Sequence, residues 1–283
     1  MKRHLIQKNG NMGKKIVNIL TIALLLIVVT VGKAATVAVT ACSNDTTQRI
    51  VPLSHSAEPE MVFVEGGIFT MGCSNGSECY PEELPQRQVT LNGFKMAKYL
   101  VTQKQWVSIM DTNPSYHKGD DLPVEQVSWL DVQVFIAKLN EITGKNYRLA
   151  TEAEWEYAAR GGKNSKGYKY SGSDNLDEIA WYILNSENKT HPVGTKKPNE
   201  LGIYDMTGNL WEWCNDWYGA YTNELPNEIP YMLTDPQGAT MGSSRVIRGG
   251  RWECPARFCR VSYRRSANPE IPSNKVGFRI VLP

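Results

Sequence analysis

The chain has 283 residues, 41% hydrophobic and 10% aromatic, enough to bury a sizeable core in one large domain or two modest ones. Its 31 Lys+Arg against 29 Asp+Glu give a charge of +2, but the first 41 residues hold six bases (Lys2, Arg3, Lys8, Lys14, Lys15, Lys33) and no acid. Without them, 25 bases face 29 acids, a net −4, and so mildly acidic a body argues against a nucleic-acid partner, which would call for a basic patch.

Residues 16–31 form an apolar run of 16 behind Lys14 and Lys15, the n-region and h-region of a secretory signal. The run falls short of the about 20 residues a spanning helix needs, and Met12 offers a second possible start. Val39-Thr-Ala-Cys42 resembles a bacterial lipobox, whose cysteine takes lipid and becomes the mature N-terminus; Val for the commoner Leu, and Lys33, depart from that pattern. A cleaved lipoprotein, an uncleaved signal anchor and plain secretion all place the body outside the cytoplasm, in the periplasm or at the cell surface. The first two also tie it to the membrane. Residues 1–41 therefore read as signal or anchor, 42–60 as a polar tether with Pro52 and Pro59, and 61–283 as the domain.

Within the body, residues 61–72 alternate apolar side chains around Gly66-Gly67, which predicts two strands and a tight turn. In an exported protein, Cys73 and Cys79 in the polar loop that follows predict a local disulfide. Residues 88–94 read as a short strand with a turn at Asn92-Gly93. Thr102 to Gln105 has the form of a capping box, opening a helix with Trp106, Ile109 and Met110 that ends at Asn113-Pro114. Ser128 caps a helix over 129–143 with Leu130, Val134, Ala137 and Leu139 on its packed face, stopped by Gly144. Thr151 to Glu154 is a second capping box, for a helix running to Arg160 and ending at Gly161-Gly162. Its Glu152, Glu154 and Glu156 are expected to be solvated or to offset the helix dipole. Residues 163–198 read as loop anchored by Trp181 and Tyr182, and Trp211 and Trp213 are expected to divide between core and surface.

Two stretches carry candidate chemistry. Cys254-Pro-Ala-Arg-Phe-Cys259 can close a small disulfide loop, or its thiolates can grip a soft metal such as Cu(I) or Zn. Asp205-Met-Thr-Gly-Asn-Leu-Trp-Glu212 combines two carboxylates with turn carbonyls, hard oxygen donors of the kind Ca²⁺ takes. Equally, Asp205 could cap a turn and Glu212 could pair with an arginine. Cys214 is buried or pairs with Cys254 or Cys259.

Read together, MVFVEGGIFTMG, PVEQVSWLDVQVF, YRLATEAEWEYAARGG, PVGTKKPNELGIYDMTGNLWEW and RVIRGGRW…CRVSYR…GFR resemble the successive signatures of the formylglycine-generating enzyme, or sulfatase-modifying factor, family. The resemblance covers residues 60–283 and implies an α+β fold related to C-type lectins, with little regular structure. Catalytic members oxidise one cysteine of a sulfatase, within Cys-x-Pro-x-Arg, to formylglycine, using O₂ and copper held by two cysteines. Cys254 and Cys259 match those positions, so the resemblance implies a copper-binding, catalytic pair, with Arg251, Trp252 and Arg264 as possible substrate contacts. It also implies calcium held by Asp205 and Glu212 side chains and the carbonyls of Gly208 and Leu210.

Three residues depart from the pattern: Arg251 stands where catalytic members usually carry Ser, Pro255 where His is common, and Ala150 where Pro is usual. The alternative is a lectin-like lipoprotein that binds or scaffolds, docking an envelope protein or glycan, with Arg257, Arg260, Arg264 and Arg265 as a polar rim or as ion-paired structural residues. The iron-dependent sulfoxide synthases, a third relative, need a histidine cluster; His4, His55, His117 and His191 are scattered.

Overall fold

The computed structural model describes residues 58–74, 78–221 and 233–283. The signal segment, the lipobox at Cys42 and most of the tether lie outside the described residues. Among the described residues, no helix is long and apolar enough to cross a membrane.

In chain order the elements are β1 (Met61–Val64), β2 (Gly67–Met71), β3 (Arg87–Leu91), β4 (Phe94–Ala97), α1 (Gln103–Met110), α2 (Trp129–Thr143), β5 (Arg148–Leu149) and α3 (Glu152–Ala159). They continue as α4 (Leu176–Ile179), β6 (Trp211–Trp217), β7 (Leu233–Thr234), β8 (Arg245–Arg248), β9 (Arg264–Ala267), β10 (Val276–Gly277) and β11 (Ile280–Leu282). Helices and strands mix with long irregular connections, the α+β architecture expected. Three sheets form, in the orders β1-β4-β11-β5, β10-β6-β8-β9 and β2-β3-β7. The strands around Gly66-Gly67 do not pair with each other: β1 pairs with β4 and β2 with β3, so the glycine step hands the chain from one sheet to another. Gly66 has to be glycine there, because a Cβ would sit 2.5 Å from the Leu91 carbonyl oxygen. Cys73 and Cys79 form the expected disulfide.

All three long helices begin at side-chain caps. Thr102, Ser128 and Thr151 each accept the N–H three residues on, and Gln105, Asp131 and Glu154 return the contact. Each such cap satisfies N–H groups that the helix leaves without partners, worth about 1 kcal/mol. Helix α1 ends at Asp111 in the left-handed region, before Asn113-Pro114, and α2 stops at Gly144, φ 67°. The packed face of α2 differs from expectation. Val132, Phe135, Ile136 and Leu139 are buried, while Leu130 and Val134 are each 49% exposed and Ala137 is exposed. Val132, Phe135, Ile136 and Leu139 follow the i, i+3, i+4, i+7 rule and include the aromatic ring, so this stripe faces inward and the Leu130 stripe turns out. Phe135 stacks on Trp106 at 5.2 Å, and Phe278 meets both rings edge-on.

Trp211 and Trp213 are both 1% exposed, contrary to the expected division. Residues two apart on a strand share a face, and β6 turns that face into the core. The three glutamates of α3 are also buried, because every residue of that helix is. Arginines from other elements neutralise them. Glu152 pairs with Arg264 of β9 at 2.6 Å, Glu156 with Arg248 of β8 and with Arg160, and Glu154 with Arg148 of β5 at 2.7 Å. Burial alone would raise the Glu152 carboxyl; Arg264 and Arg248 hold it below its ordinary value.

Candidate functional site

Strand β8 delivers the chain into Gly249 and Gly250, both at positive φ. Gly250 leaves room for a thiol: a Cβ there would lie 2.7 Å from Cys259 Sγ. Beyond it, Trp252 N–H donates to the Asn209 carbonyl at 2.9 Å, and the Trp252 carbonyl accepts from Ser186 Oγ at 2.7 Å. Cys254 N–H donates to the Arg251 carbonyl at 2.8 Å. Pro255 then starts a single 3-10 turn, Ala256–Phe258, that folds Cys259 back under Gly250.

Cys254 and Cys259 are buried and free, as is Cys214, so neither the small disulfide loop nor a pairing of Cys214 forms. Burial pushes the Cys254 thiol up, and the Arg251 charge and amide partly oppose it. Cys259 is pushed up further by burial and then by Cys254, with the same Arg251 amide opposing. Gly250, on which a Cβ would meet Cys259 Sγ, and the Arg251 carbonyl, which accepts the Cys254 N–H, set both cysteines against the same stretch of backbone. Two soft, desolvated thiols so placed are a donor set suited to Cu(I). They hold their protons at neutral pH, and a metal would have to displace them.

Arg251 is half-buried and ion-paired to Glu253, whose Oε1 also accepts Lys275 Nζ at 2.6 Å. The sequence offered no sign of Glu253 as the partner that offsets Arg251. Arg251 also borders a groove of about 330 Å³, floored by Trp211, Trp213 and Ile247 and flanked by Arg265, Ile271 and Lys275. Trp252 is 7% exposed and presents its ring to His117 at 6.0 Å, so it supports the loop from behind.

Arg264 does not reach the site. It is 3% exposed, its Nε and Nη2 grip both Glu152 oxygens at 2.7 and 2.6 Å, and Nη1 donates to the Gly219 carbonyl at 2.7 Å. With all its donors engaged in the core, it is a structural residue, and the substrate contact expected of it is corrected. Arg260 is likewise buried against Glu83 at 2.7 Å. Of the expected arginine rim, Arg257 and Arg265 are exposed.

The 205–212 turn contains Asn209, whose carbonyl anchors the Trp252 N–H. Asp205 is 4% exposed, adopts φ 56° and accepts the Gly194 N–H at 2.7 Å, and it makes no ion pair among the described residues. Gly208 is at φ 80°, and a Cβ on it would lie 2.4 Å from the Trp181 carbonyl. Glu212 is committed in part: Arg279 grips both its oxygens and Trp155 Nε1 donates to one of them at 2.9 Å. Two carboxylates and turn carbonyls are hard donors of the right kind for Ca²⁺, and Glu212, with about four lone-pair sites, would have to share them with Arg279. Among the described residues no three His, Cys, Asp or Glu side chains converge as a metal group. An ion at either place therefore needs carbonyls or an incoming ligand to complete its shell.

The family model for the sulfatase-modifying factor enzyme 1-like domain matches residues 47–283, starting inside the tether. Chaperone protein LppX of Paenibacillus barcinonensis is 34% identical over 274 residues, covering 78% of this chain and 89% of that protein. The formylglycine-generating enzyme of Streptomyces coelicolor is 37% identical over 175 residues, covering 56% of this chain and 51% of that protein. Among solved structures, variable protein 1 of Treponema denticola superposes with a TM-score of 0.71 at 30% identity, covering 78% of this chain and 94% of that one. From the Gly-Gly loop to the buried Glu212, the residues that build this site lie within the matched region, and the chain belongs to the sulfatase-modifying factor, or formylglycine-generating enzyme, family.

Proposed function

We propose that the protein is an exported, copper-dependent oxidase that converts a cysteine of a sulfatase to formylglycine. The observation that carries this reading is the free, buried Cys254 and Cys259 pair held against the Gly250-Arg251 backbone. Those two thiols would hold the ion and leave a position for the substrate thiolate. Bound copper would supply electron transfer to O₂ and hydrogen removal from the substrate Cβ. The conversion balances as R–CH₂–SH + O₂ + 2 e⁻ + 2 H⁺ giving R–CHO + H₂S + H₂O, with the two electrons drawn from an external thiol. In this chain Gly250 admits Cys259 Sγ, the Trp252 anchor fixes the loop, and Glu253 offsets the Arg251 charge that stands where catalytic members carry Ser.

In the same reading Asp205, Glu212, Gly208 and Leu210 hold a structural Ca²⁺, and Cys42 carries the lipid that keeps the domain at the outer side of the membrane. A similar protein named a formylglycine-generating enzyme supports a protein substrate for this chain.

The test uses reduced full-length protein. One equivalent of Cu(I) should bind in competition with a chelator, and a Cys-x-Pro-x-Arg peptide should then lose its thiol in air and gain an aldehyde. Cys254→Ala and Cys259→Ala should each abolish both. Absence of copper binding with both thiols free overturns the proposal.

A further inference from the structure

The groove beside Arg251 carries a charge pattern that the family pattern does not supply. Three basic side chains, Arg251, Arg265 and Lys275, border it. Glu253 supplies one carboxylate, and a single oxygen of it serves both Arg251 and Lys275. Arg265 is exposed and makes no ion pair among the described residues. The mouth therefore holds a local excess of positive charge on a body whose net charge beyond residue 41 is −4. Its floor is apolar: Trp211 and Trp213 are 1% exposed and Ile247 is 4% exposed, and low-dielectric walls of this kind focus the field of the charges above them. Arg251 borders the groove and its carbonyl accepts the Cys254 N–H, so the groove lies beside the cysteine loop.

We propose that this groove is a specificity pocket for an acidic side chain of the protein substrate, presented beside the cysteine that enters at Cys254. The inference rests on the function proposed above and names which substrates that site accepts. A volume of about 330 Å³ is at the small end for ligand sites, so it takes one or two residues with their backbone rather than an extended chain of sugars. The exposed Ile271 receives the apolar part of the segment, and Arg265 and Lys275 receive its carboxylate. An arginine placed in this groove would meet three like charges, so the arginine of a Cys-x-Pro-x-Arg segment binds elsewhere or is replaced by an acid.

The experiment measures binding alone. Reduced, copper-free full-length protein is titrated with fluorescein-labelled peptides in which Ser replaces the substrate cysteine and Glu, Gln or Arg is scanned through the four positions on either side. At one position Glu should bind about tenfold more tightly than Arg, a difference of about 1.4 kcal/mol, and the preference should shrink at high salt. Arg265→Gln, an exposed change, and Lys275→Gln, a half-buried one that also releases Glu253, should each reduce it at least threefold while the circular dichroism spectrum stays unchanged. The proposal is overturned if Glu is preferred at no position, if both variants keep the preference, or if a galacturonate oligomer or vesicles of anionic phospholipid displace the peptides and bind more tightly. An acid preference without peptide oxidation would sink the oxidase reading and leave the pocket standing; oxidation without an acid preference would do the reverse.

Discussion

Arg279 holds Glu212 with both arms, Nε to Oε2 at 2.6 Å and Nη2 to Oε1 at 2.7 Å, and the two side chains are 1% and 0% exposed. The remaining Arg279 donors reach the Ala97 and Tyr204 carbonyls at 3.1 and 2.9 Å, so one guanidinium ties β4, the 205–212 turn and the C-terminal strands together. Removing one partner of such a pair leaves a bare buried charge. Arg279→Met should cost about 3–5 kcal/mol in urea unfolding, and adding Glu212→Leu to it should recover part of that loss. A double variant less stable than the single one would show that Glu212 has another cation.

The Ca²⁺ proposed for this turn would be such a cation. After treatment with EGTA, millimolar CaCl₂ should raise the melting temperature of the native protein, since an ion that binds the folded state alone stabilises it by mass action. Asp205→Ala should lose the response. A melting temperature indifferent to EGTA and calcium would remove the ion from this turn.

How much of this was legible in the sequence depends on the range of the interaction. The caps at Thr102, Ser128 and Thr151, the stop at Gly144 and the Cys73–Cys79 disulfide are local, set within a few residues, and they stand in the structure as read. Glu152 and Glu154 do stand in the first turn of α3, where they offset its dipole, but the expected solvation of Glu152, Glu154 and Glu156 failed because their partners, Arg264, Arg148 and Arg248 in that order, come from three different strands. A glutamate on a short helix gives no sign of a distant arginine. The Gly-Gly-x-Trp step pointed to the cysteine loop, but Glu253 and the groove beside Arg251 depend on β9 and the segment carrying Lys275, which spacing does not reveal.

The thiols make a prediction of their own. Burial raises Cys254, Cys259 and Cys214, and the thiolate is the reacting species. Iodoacetamide at pH 7.5 should modify all three slowly in the folded, metal-free protein and rapidly in urea. Cys254, 3% exposed against 0% for the other two, should react first, and Cu(I) should protect Cys254 and Cys259 without changing Cys214. Rapid labelling of Cys259 in the folded state would contradict the burial that defines the pair.

Asp216 should set part of the dependence of stability on pH. It is 3% exposed and accepts the Glu152 N–H at 2.9 Å. Burial first, then the Glu152 charge, push its carboxyl from 3.8 up to about 7. A group whose folded pKa lies above its unfolded value binds its proton more tightly when folded. Its stabilising contribution is complete below about 3.8 and disappears as pH rises through about 7. Asn keeps an oxygen for the Glu152 N–H and carries no charge. Asp216→Asn should therefore match the native protein near pH 4 and exceed its stability at pH 8 by about 1–3 kcal/mol, the penalty of a buried group left without a partner. The comparison is by urea unfolding at both values, and a variant less stable than the native protein at pH 8 would mean that Asp216 is ionised and paired in the folded state.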